Sequence, residues 1–148
     1  MKSVKQRMHE AEFICSQKNV KLTLLRRLLL EVIYQQKTPL TAYELLKELK
    51  KSHAAAEAMT VYRVLNFLEA HHLIHRIISH NTYTPCDNPS ELHHAQLITC
   101  ESCGRTEEIS EKNLTNLIKK VLSENNFVVS SKPTELFGVC NACQFDRF

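Results

Sequence analysis

Residues 60–85, TVYRVLNFLEAHHLIHRIISHNTYTP, decide the fold of the first half of the chain. In the first part of this stretch, apolar residues recur every three or four positions, which predicts a helix with one buried face. These apolar positions are Val61, Val64, Leu65 and Leu68. Thr60 stands just before them and is predicted to cap the helix. Two β-favouring runs, Leu73–Ile78 and Thr82–Thr84, flank a polar turn, so the helix leads directly into a hairpin.

Three more helices are predicted before this stretch. Apolar residues at helical spacing predict the first over Val4–Lys18, and Thr23 is placed to cap the second. Thr41 and Glu44 have the spacing of a capping box and begin the third. Three helices, a fourth with a polar outer face and a hairpin make up a winged helix-turn-helix domain. We assign it residues 1–85.

The outward face of the fourth predicted helix carries side chains that can read DNA bases. Arg63 can bind guanine through two hydrogen bonds, and Asn66 can do the same with adenine. Tyr62 can stack on a base or donate to a phosphate. Tyr43, near the start of the third helix, and Thr60 complete the candidate DNA-binding residues. A solvated amphipathic helix would show the same pattern, so the helix alone leaves both interpretations open.

Charge is divided unevenly along the 148 residues, whose formal net charge is +3. Residues 1–85 hold 13 Lys and Arg against 7 Asp and Glu, whereas residues 86–148 hold 6 against 9. A basic first half indicates a polyanionic partner, and together with the predicted helix and wing it favours double-stranded DNA. Ordinary surface charge is the alternative explanation.

The second half is predicted to be a small α/β domain over residues 86–148. Turn-forming residues at 86–90 coincide with the change of charge and mark a hinge. A helix over Glu111–Asn126 presents one apolar face. Strands are predicted over Ala95–Thr99, Thr106–Ile109, Phe127–Val129 and Glu135–Val139. The whole chain is therefore expected to be α+β, with the winged helix first and the α/β domain second.

Two Cys-x-x-Cys pairs enclose this second domain. Cys100 and Cys103 form the first pair, Cys140 and Cys143 the second, and 36 residues lie between them. A two-residue gap lets both sulfurs of a pair face one ion, and zinc prefers four tetrahedral thiolates in structural sites. Gly104 supplies the permissive backbone that a tight knuckle needs. We predict a structural zinc ion on these cysteines, with a redox dithiol or two disulfides as the alternatives.

The composition favours an intracellular protein with reduced thiols. No segment reaches the roughly 18 consecutive apolar residues that cross a bilayer, and residues 1–12 lack the apolar core of a signal peptide. We therefore expect a cytoplasmic protein without membrane contact, whose cysteines bind metal rather than form disulfides. Cys15, on the apolar face of the first helix, is expected in the core.

Four parts of the chain resemble the ferric uptake regulator family of metal-sensing repressors. They are Leu22-Thr23 with Arg26, the run from Thr41 to Leu46, the run from Thr60 to Leu65, and the two cysteine pairs. Residues 79–83 leading to Cys86, and residues 137–143, are similar to the zinc uptake regulator branch of that family. The resemblance implies a homodimer, formed through the C-terminal domain, that binds operator DNA when a second, regulatory zinc ion is loaded.

The resemblance also implies the ligands of the regulatory zinc ion, at the hinge between the domains. They are His75, Cys86, His93 and Glu108. Two imidazoles, one thiolate and one carboxylate suit tetrahedral zinc, and the soft thiolate disfavours manganese and magnesium. The segment after Cys86 is one residue shorter than expected, which leaves His94 open beside His93. The chain would then hold one structural and one regulatory Zn2+.

Three other functions compete with a zinc-responsive repressor of zinc uptake genes. An iron- or peroxide-sensing repressor of the same family would use hard oxygen or additional His ligands, without a thiolate at the hinge. A constitutive DNA-binding protein would hold only the structural zinc. A zinc enzyme would need an open coordination position and a general base. Because the four cysteines fill their site and no catalytic motif accompanies them, we predict that the chain is not an enzyme and has no small-molecule substrate.

Overall fold

The computed structural model describes residues 2–145. The chain divides into two compact units, Met1–Leu92 and His93–Phe148, so residues 86–92 group with the first unit. Helices with a small sheet build the first unit, and a second sheet with two helices builds the second, which confirms the predicted α+β class. Within the described residues, no helix has the length and apolar character needed to cross a lipid bilayer.

The first unit is a winged helix-turn-helix. Its helices are α1 (Val4–Gln17), α2 (Leu24–Gln35), α3 (Ala42–Lys50) and α4 (Ala58–Ala70). Its strands are β1 (Leu40–Thr41), β2 (Ile74–Ile77) and β3 (Thr82–Pro85). They form an antiparallel sheet in the order β1-β3-β2, so the short strand before α3 extends the wing hairpin. β1 escapes prediction because two residues are too short to show an alternating pattern.

Side-chain caps decide where α3 begins but not where α4 begins. The Thr41 hydroxyl accepts a hydrogen bond from the Glu44 amide at 3.2 Å, and the Glu44 carboxylate accepts one from the Thr41 amide at 2.7 Å. The predicted capping box is thereby confirmed. The predicted Thr60 cap is wrong, since α4 begins at Ala58 after Glu57 and Thr60 lies inside the first turn. Alanine favours helix strongly, which fits a start at Ala58, three residues before the predicted start at Val61, without a side-chain cap.

The apolar faces of α1, α2, α3 and α4 meet in one hydrophobic core. The Leu residues at its centre are fully buried, at 0% exposure, and are Leu29, Leu30, Leu45, Leu65 and Leu68. Truncating such a residue to Ala costs about 2–5 kcal/mol. Cys15 is 2% exposed and belongs to this core, as predicted, and burial raises the pKa of its thiol. The core holds α4 with its polar face outward.

The second unit is built around a three-stranded sheet. Its strands are β4 (Gln96–Cys100), β5 (Thr106–Ile109) and β6 (Thr134–Gly138), and its helices are α5 (Lys112–Glu124) and α6 (Asn141–Phe145). β4 lies at the centre, antiparallel to β5 and parallel to β6. These three strands and α5 were predicted with bounds that differ by two residues at most. The short helix α6 was not predicted.

The strand predicted over Phe127–Val129 is wrong. α5 ends at Glu124 and is capped by Asn125. The next residue, Asn126, has a left-handed φ of 62°, and the Phe127 amide donates back to the Leu122 carbonyl at 2.8 Å. This bond closes the helix end as in a Schellman motif. Beyond it, Phe127 and Val128 are 67% and 92% exposed and pair with no strand among residues 2–145. Aromatic and β-branched residues favour a strand only where a neighbouring strand packs beside them.

The apolar face of α5 is only partly covered within the chain. Leu117 and Val121 are exposed, and no residue of Lys112–Glu124 is buried. Phe127, three residues beyond the end of the helix, is also exposed. Several exposed apolar side chains on one helix face are typical of a face that another protein covers.

Candidate metal centres and nucleic-acid interface

Neighbouring strands bring the two cysteine pairs together. Cys100 ends β4 and Cys140 follows β6, and in this parallel pair Cys100 lies opposite Gly138. The first knuckle turns back through Gly104, whose φ of 75° lies in the left-handed region that glycine adopts without strain. The Gly104 amide donates to the Cys100 carbonyl at 2.9 Å. The strand register and one glycine thus place both knuckles at the same end of the sheet.

The four sulfur atoms of Cys100, Cys103, Cys140 and Cys143 lie within 4.8 Å of one another. Zinc bound to four thiolates at about 2.3 Å places its sulfurs roughly 3.8 Å apart, and the Sγ atoms of Cys103 and Cys140 are 3.9 Å apart. A disulfide would bring two sulfurs to about 2.05 Å, and none of these four cysteines forms one in the structure. The number, chemistry and spacing of the donors therefore fit one tetrahedral zinc ion.

Hydrogen bonds prepare one of these sulfurs as a thiolate. The Cys140 amide donates to the Cys100 Sγ at 3.3 Å, and together with donors of Cys103 it lowers the pKa of Cys100 to about 6. The opposite holds for Cys143, because hydrogen bonding to the Cys140 sulfur, burial and the other sulfurs raise its pKa to about 12. Four adjacent thiolates repel one another, and a divalent cation offsets this repulsion and favours the loss of their protons.

In the first unit, His75 and Cys86 bring an imidazole and a thiol together beside the wing. His75 lies on β2 opposite Thr84, and Cys86 directly follows β3. The Cys86 amide donates to the Leu73 carbonyl at 3.1 Å, which carries the strand ladder on to this residue. A ring nitrogen of His75 and the Cys86 Sγ lie within 4.8 Å of each other, and Cys86 is 2% exposed. This pair offers two of the donor types that zinc takes.

In the second unit, His93 and Glu108 bring an imidazole and a carboxylate together. His93 precedes β4 and Glu108 lies on β5, with 2.5 Å between the His93 Nε2 and the Glu108 Oε1. The Glu108 side chain is only 2% exposed. His94 points elsewhere, since its Nε2 is hydrogen-bonded to the Thr134 hydroxyl at 2.7 Å, and burial lowers its pKa. Of the two histidines that the sequence left open, His93 is therefore the one beside Glu108.

The outward face of α4 presents the side chains predicted to read DNA. Tyr62, Arg63 and Asn66 are all exposed. Tyr43, the second residue of α3, is 70% exposed, whereas Thr60 is half-buried in the first turn of α4. A phenol, a guanidinium and an amide on one exposed helix face supply the hydrogen-bonding groups that match base edges in the major groove.

Arg26 holds α4 in place, a role that its sequence motif did not reveal. Its guanidinium carbon lies 3.6 Å from the centroid of the Phe67 ring on α4, and the same group donates to the Lys21 carbonyl at 2.6 Å. A cation over an aromatic face contributes about 0.5–2 kcal/mol. The available sequence signal was Phe67 itself, a large aromatic residue outside the apolar stripe of the helix.

Sequence comparison relates the chain to known metal-dependent regulators. The profile of the Ferric uptake regulator family matches residues 17–137. The zinc uptake regulation protein of Escherichia coli (strain K12) is 31% identical over 137 residues, which cover 90% of this chain and 79% of that protein. The ferric uptake regulation protein of Legionella pneumophila is 29% identical over 126 residues, which cover 84% of this chain and 92% of that protein.

Structure comparison points the same way. A zinc uptake regulator complexed with zinc and DNA superposes with a TM-score of 0.91, at 28% sequence identity and with 99% of each chain covered. The holo form of XcZur superposes with a TM-score of 0.83, at 27% identity, and covers 93% of this chain and 96% of that one. The sequence comparison and the structure comparison thus both relate the chain to metal-uptake regulators.

Proposed function

Because the chain belongs to the ferric uptake regulator family, we propose that it is a zinc-responsive repressor that controls zinc uptake genes. It is a metal-responsive transcriptional regulator like other members of the family, and we assign it no catalytic residue. The observation that carries the choice of zinc is the buried Cys86 thiol beside the His75 imidazole. A nitrogen–sulfur donor pair is typical of zinc sites and is a poor match for hard cations.

We assign one structural zinc ion to Cys100, Cys103, Cys140 and Cys143. The support is the sulfur spacing, which matches a zinc–thiolate tetrahedron, and the lowered pKa of Cys100. Because one pair follows β4 and the other follows β6, binding joins the beginning of the second unit to its end. A site of this kind contributes directly to folding, since the unfolded chain has no preformed site.

We assign one regulatory zinc ion to His75, Cys86, His93 and Glu108. The support is the chemistry of two donor pairs, one in each unit, which together offer two nitrogens, one sulfur and one oxygen. Zinc supplies a divalent charge and a preference for four tetrahedral ligands. One zinc ion would then be bound by residues of both units. Metal binding would therefore limit the motion of the winged helix relative to the second unit.

The proposed partner is double-stranded operator DNA, bound by a homodimer. One solved structure of similar fold is a zinc uptake regulator complexed with zinc and DNA. In this chain, α4 exposes Tyr62, Arg63 and Asn66, which could contact the major groove. The partly covered apolar face of α5, on which Leu117 and Val121 are exposed, supports dimerisation through the second unit. A repressor works on chromosomal DNA, so we place the protein in the cytoplasm.

A metal titration of the full-length protein, run beside an operator-binding measurement, tests this function. Protein stripped of exchangeable metal is titrated with Zn2+, Fe2+ or Mn2+, while fluorescence anisotropy follows binding to an operator obtained by in vitro selection. We expect one zinc ion per chain to resist chelation and a second to exchange, with DNA binding following the second. DNA binding that does not depend on metal would indicate a constitutive DNA-binding protein. DNA binding that responds to Fe2+ alone would indicate an iron sensor.

Replacing Arg63 by alanine is expected to weaken operator binding by about 5- to 150-fold per half-site, since a two-bonded arginine–guanine contact is worth about 1–3 kcal/mol. The loss should be confined to one base position of the operator. Arg105→Ala is the matched control, because it removes the same charge from an exposed side chain of the second unit. Equal losses in both variants would show that only net charge matters and that Arg63 reads no base.

A further inference from the structure

An ion pair joins the first helix to the residues that follow the wing. The Arg7 guanidinium on α1 donates to the Asp87 carboxylate at 2.6 Å and to the Cys86 carbonyl at 3.4 Å. The Lys2 ammonium donates to the Asp87 carbonyl at 3.1 Å. All of these residues lie in the first unit. The beginning of α1 is thus tied to the backbone of Cys86 and Asp87, about 80 positions along the chain.

The guanidinium of Arg7 is held in a partly desolvated place. Its side chain is 14% exposed, and its central carbon lies 5.7 Å from the centroid of the Tyr34 ring. Tyr34 is itself 8% exposed. A planar guanidinium between a carboxylate, a carbonyl and an aromatic face has little freedom, because each partner fixes a different direction. The Asp87 side chain is 43% exposed, so the ion pair is shielded from water on the arginine side only.

The contact with Arg7 matters for Cys86 because the backbone hydrogen bonds between β2 and β3 end at this residue. Its amide is bonded to the Leu73 carbonyl of the wing, while its carbonyl accepts from Arg7. We infer that Arg7 is a positioning residue that fixes the backbone of Cys86 so that the thiol faces His75 in a metal-ready conformation. This inference rests on the proposed regulatory site.

Other contacts keep α1 in place without Arg7. The core residues Ala11, Ile14 and Cys15 bury its inner face. Arg27 of α2 forms a second ion pair with Glu12 of α1, away from the metal ligands. Loss of Arg7 should therefore disturb the Cys86 segment more than the docking of the helix.

The test compares Arg7→Met with Arg27→Met in the full-length protein that retains its four-cysteine zinc. Each variant removes one guanidinium that is paired with a carboxylate, but only Arg7 touches Cys86. The readouts are the affinity for exchangeable Zn2+, measured by chelator competition, and the sulfur-to-cobalt charge-transfer band after Co2+ loading. Thermal unfolding and the alkylation rate of Cys86 in protein without exchangeable metal complete the set.

We expect Arg7→Met to weaken exchangeable zinc binding about tenfold, the lower end of what loss of a ligand-orienting partner costs. Its cobalt band should weaken and its Cys86 should be alkylated faster, while Arg27→Met matches the wild type in these readouts. Arg7→Lys keeps the positive charge but loses the planar guanidinium with its several N–H donors, so its zinc affinity should lie between those of Arg7→Met and the wild type. Equal metal affinity in Arg7→Met and Arg27→Met would overturn the inference.

A further variant separates this inference from the function it rests on. If Cys86→Ala loses exchangeable zinc while Arg7→Met binds as the wild type does, only the role of Arg7 is wrong. If Cys86→Ala keeps full affinity for exchangeable zinc, the regulatory site lies elsewhere, and both the site and the role of Arg7 are overturned.

Discussion

Replacing Cys103 by serine should remove the structural zinc ion and unfold the second unit. Among the described residues of this unit, the buried ones all lie on or beside β4 and are Ala95, Gln96, Leu97, Thr99 and Cys100. Such a small core cannot replace the roughly 10–16 kcal/mol of apparent free energy that structural zinc supplies in small domains at neutral pH. That amount is comparable with the roughly 5–15 kcal/mol that separates a whole folded domain from its unfolded state.

Native mass spectrometry should find one zinc ion fewer per chain in Cys103→Ser, and circular dichroism should show loss of sheet structure. Light scattering should show monomers, because the face of α5 depends on this unit. Cys103 is the best position, since its side chain is exposed and serine itself disturbs little packing. Cys15→Ala is the control: it removes a buried thiol from the first unit and should keep all bound zinc. A dimeric Cys103→Ser protein with wild-type stability would show that the ion is not structural.

Local patterns were enough to predict most of the first unit. The capping box at Thr41 and Glu44 and the apolar period of α4 are contained within one or two helical turns, so they need no knowledge of the rest of the chain. The first residue of α4 was missed for the same reason. Thr60 is the better cap by residue type, but the helix-favouring Ala58 extends the helix past it.

The four-cysteine cluster was predictable because its spacing is local on each side and its two halves follow strands. Which strands are neighbours was not predictable, and the parallel pairing of β4 with β6 is what brings the pairs together. The strand predicted at Phe127–Val129 failed because a strand needs a partner. The ion pair of Arg7 with Asp87 has no signal in the sequence, since no periodic pattern connects residues 80 positions apart.

Replacing Cys86 by alanine should abolish the zinc response of DNA binding while leaving the four-cysteine zinc in place. The variant loses the one soft ligand proposed for the regulatory site. Its affinity for exchangeable zinc should therefore fall by more than the 10- to 100-fold that is typical when a residue that only orients a ligand is replaced. Metal and DNA must strengthen each other by the same factor, which is commonly about 5- to 150-fold. Zinc should therefore raise operator affinity by about this factor in the wild type and leave it nearly unchanged in Cys86→Ala.

Cys86→His distinguishes the loss of a ligand from the loss of sulfur. Imidazole still binds zinc, so this variant should respond to zinc at higher concentrations, but it should discriminate less well against Fe2+ and Mn2+ because a borderline donor replaces a soft one. Anisotropy with each metal measures both effects, and zinc content after chelation shows that the structural ion is retained. A full zinc response in Cys86→Ala would contradict the proposed site, because a buried thiol beside an imidazole would then serve packing alone.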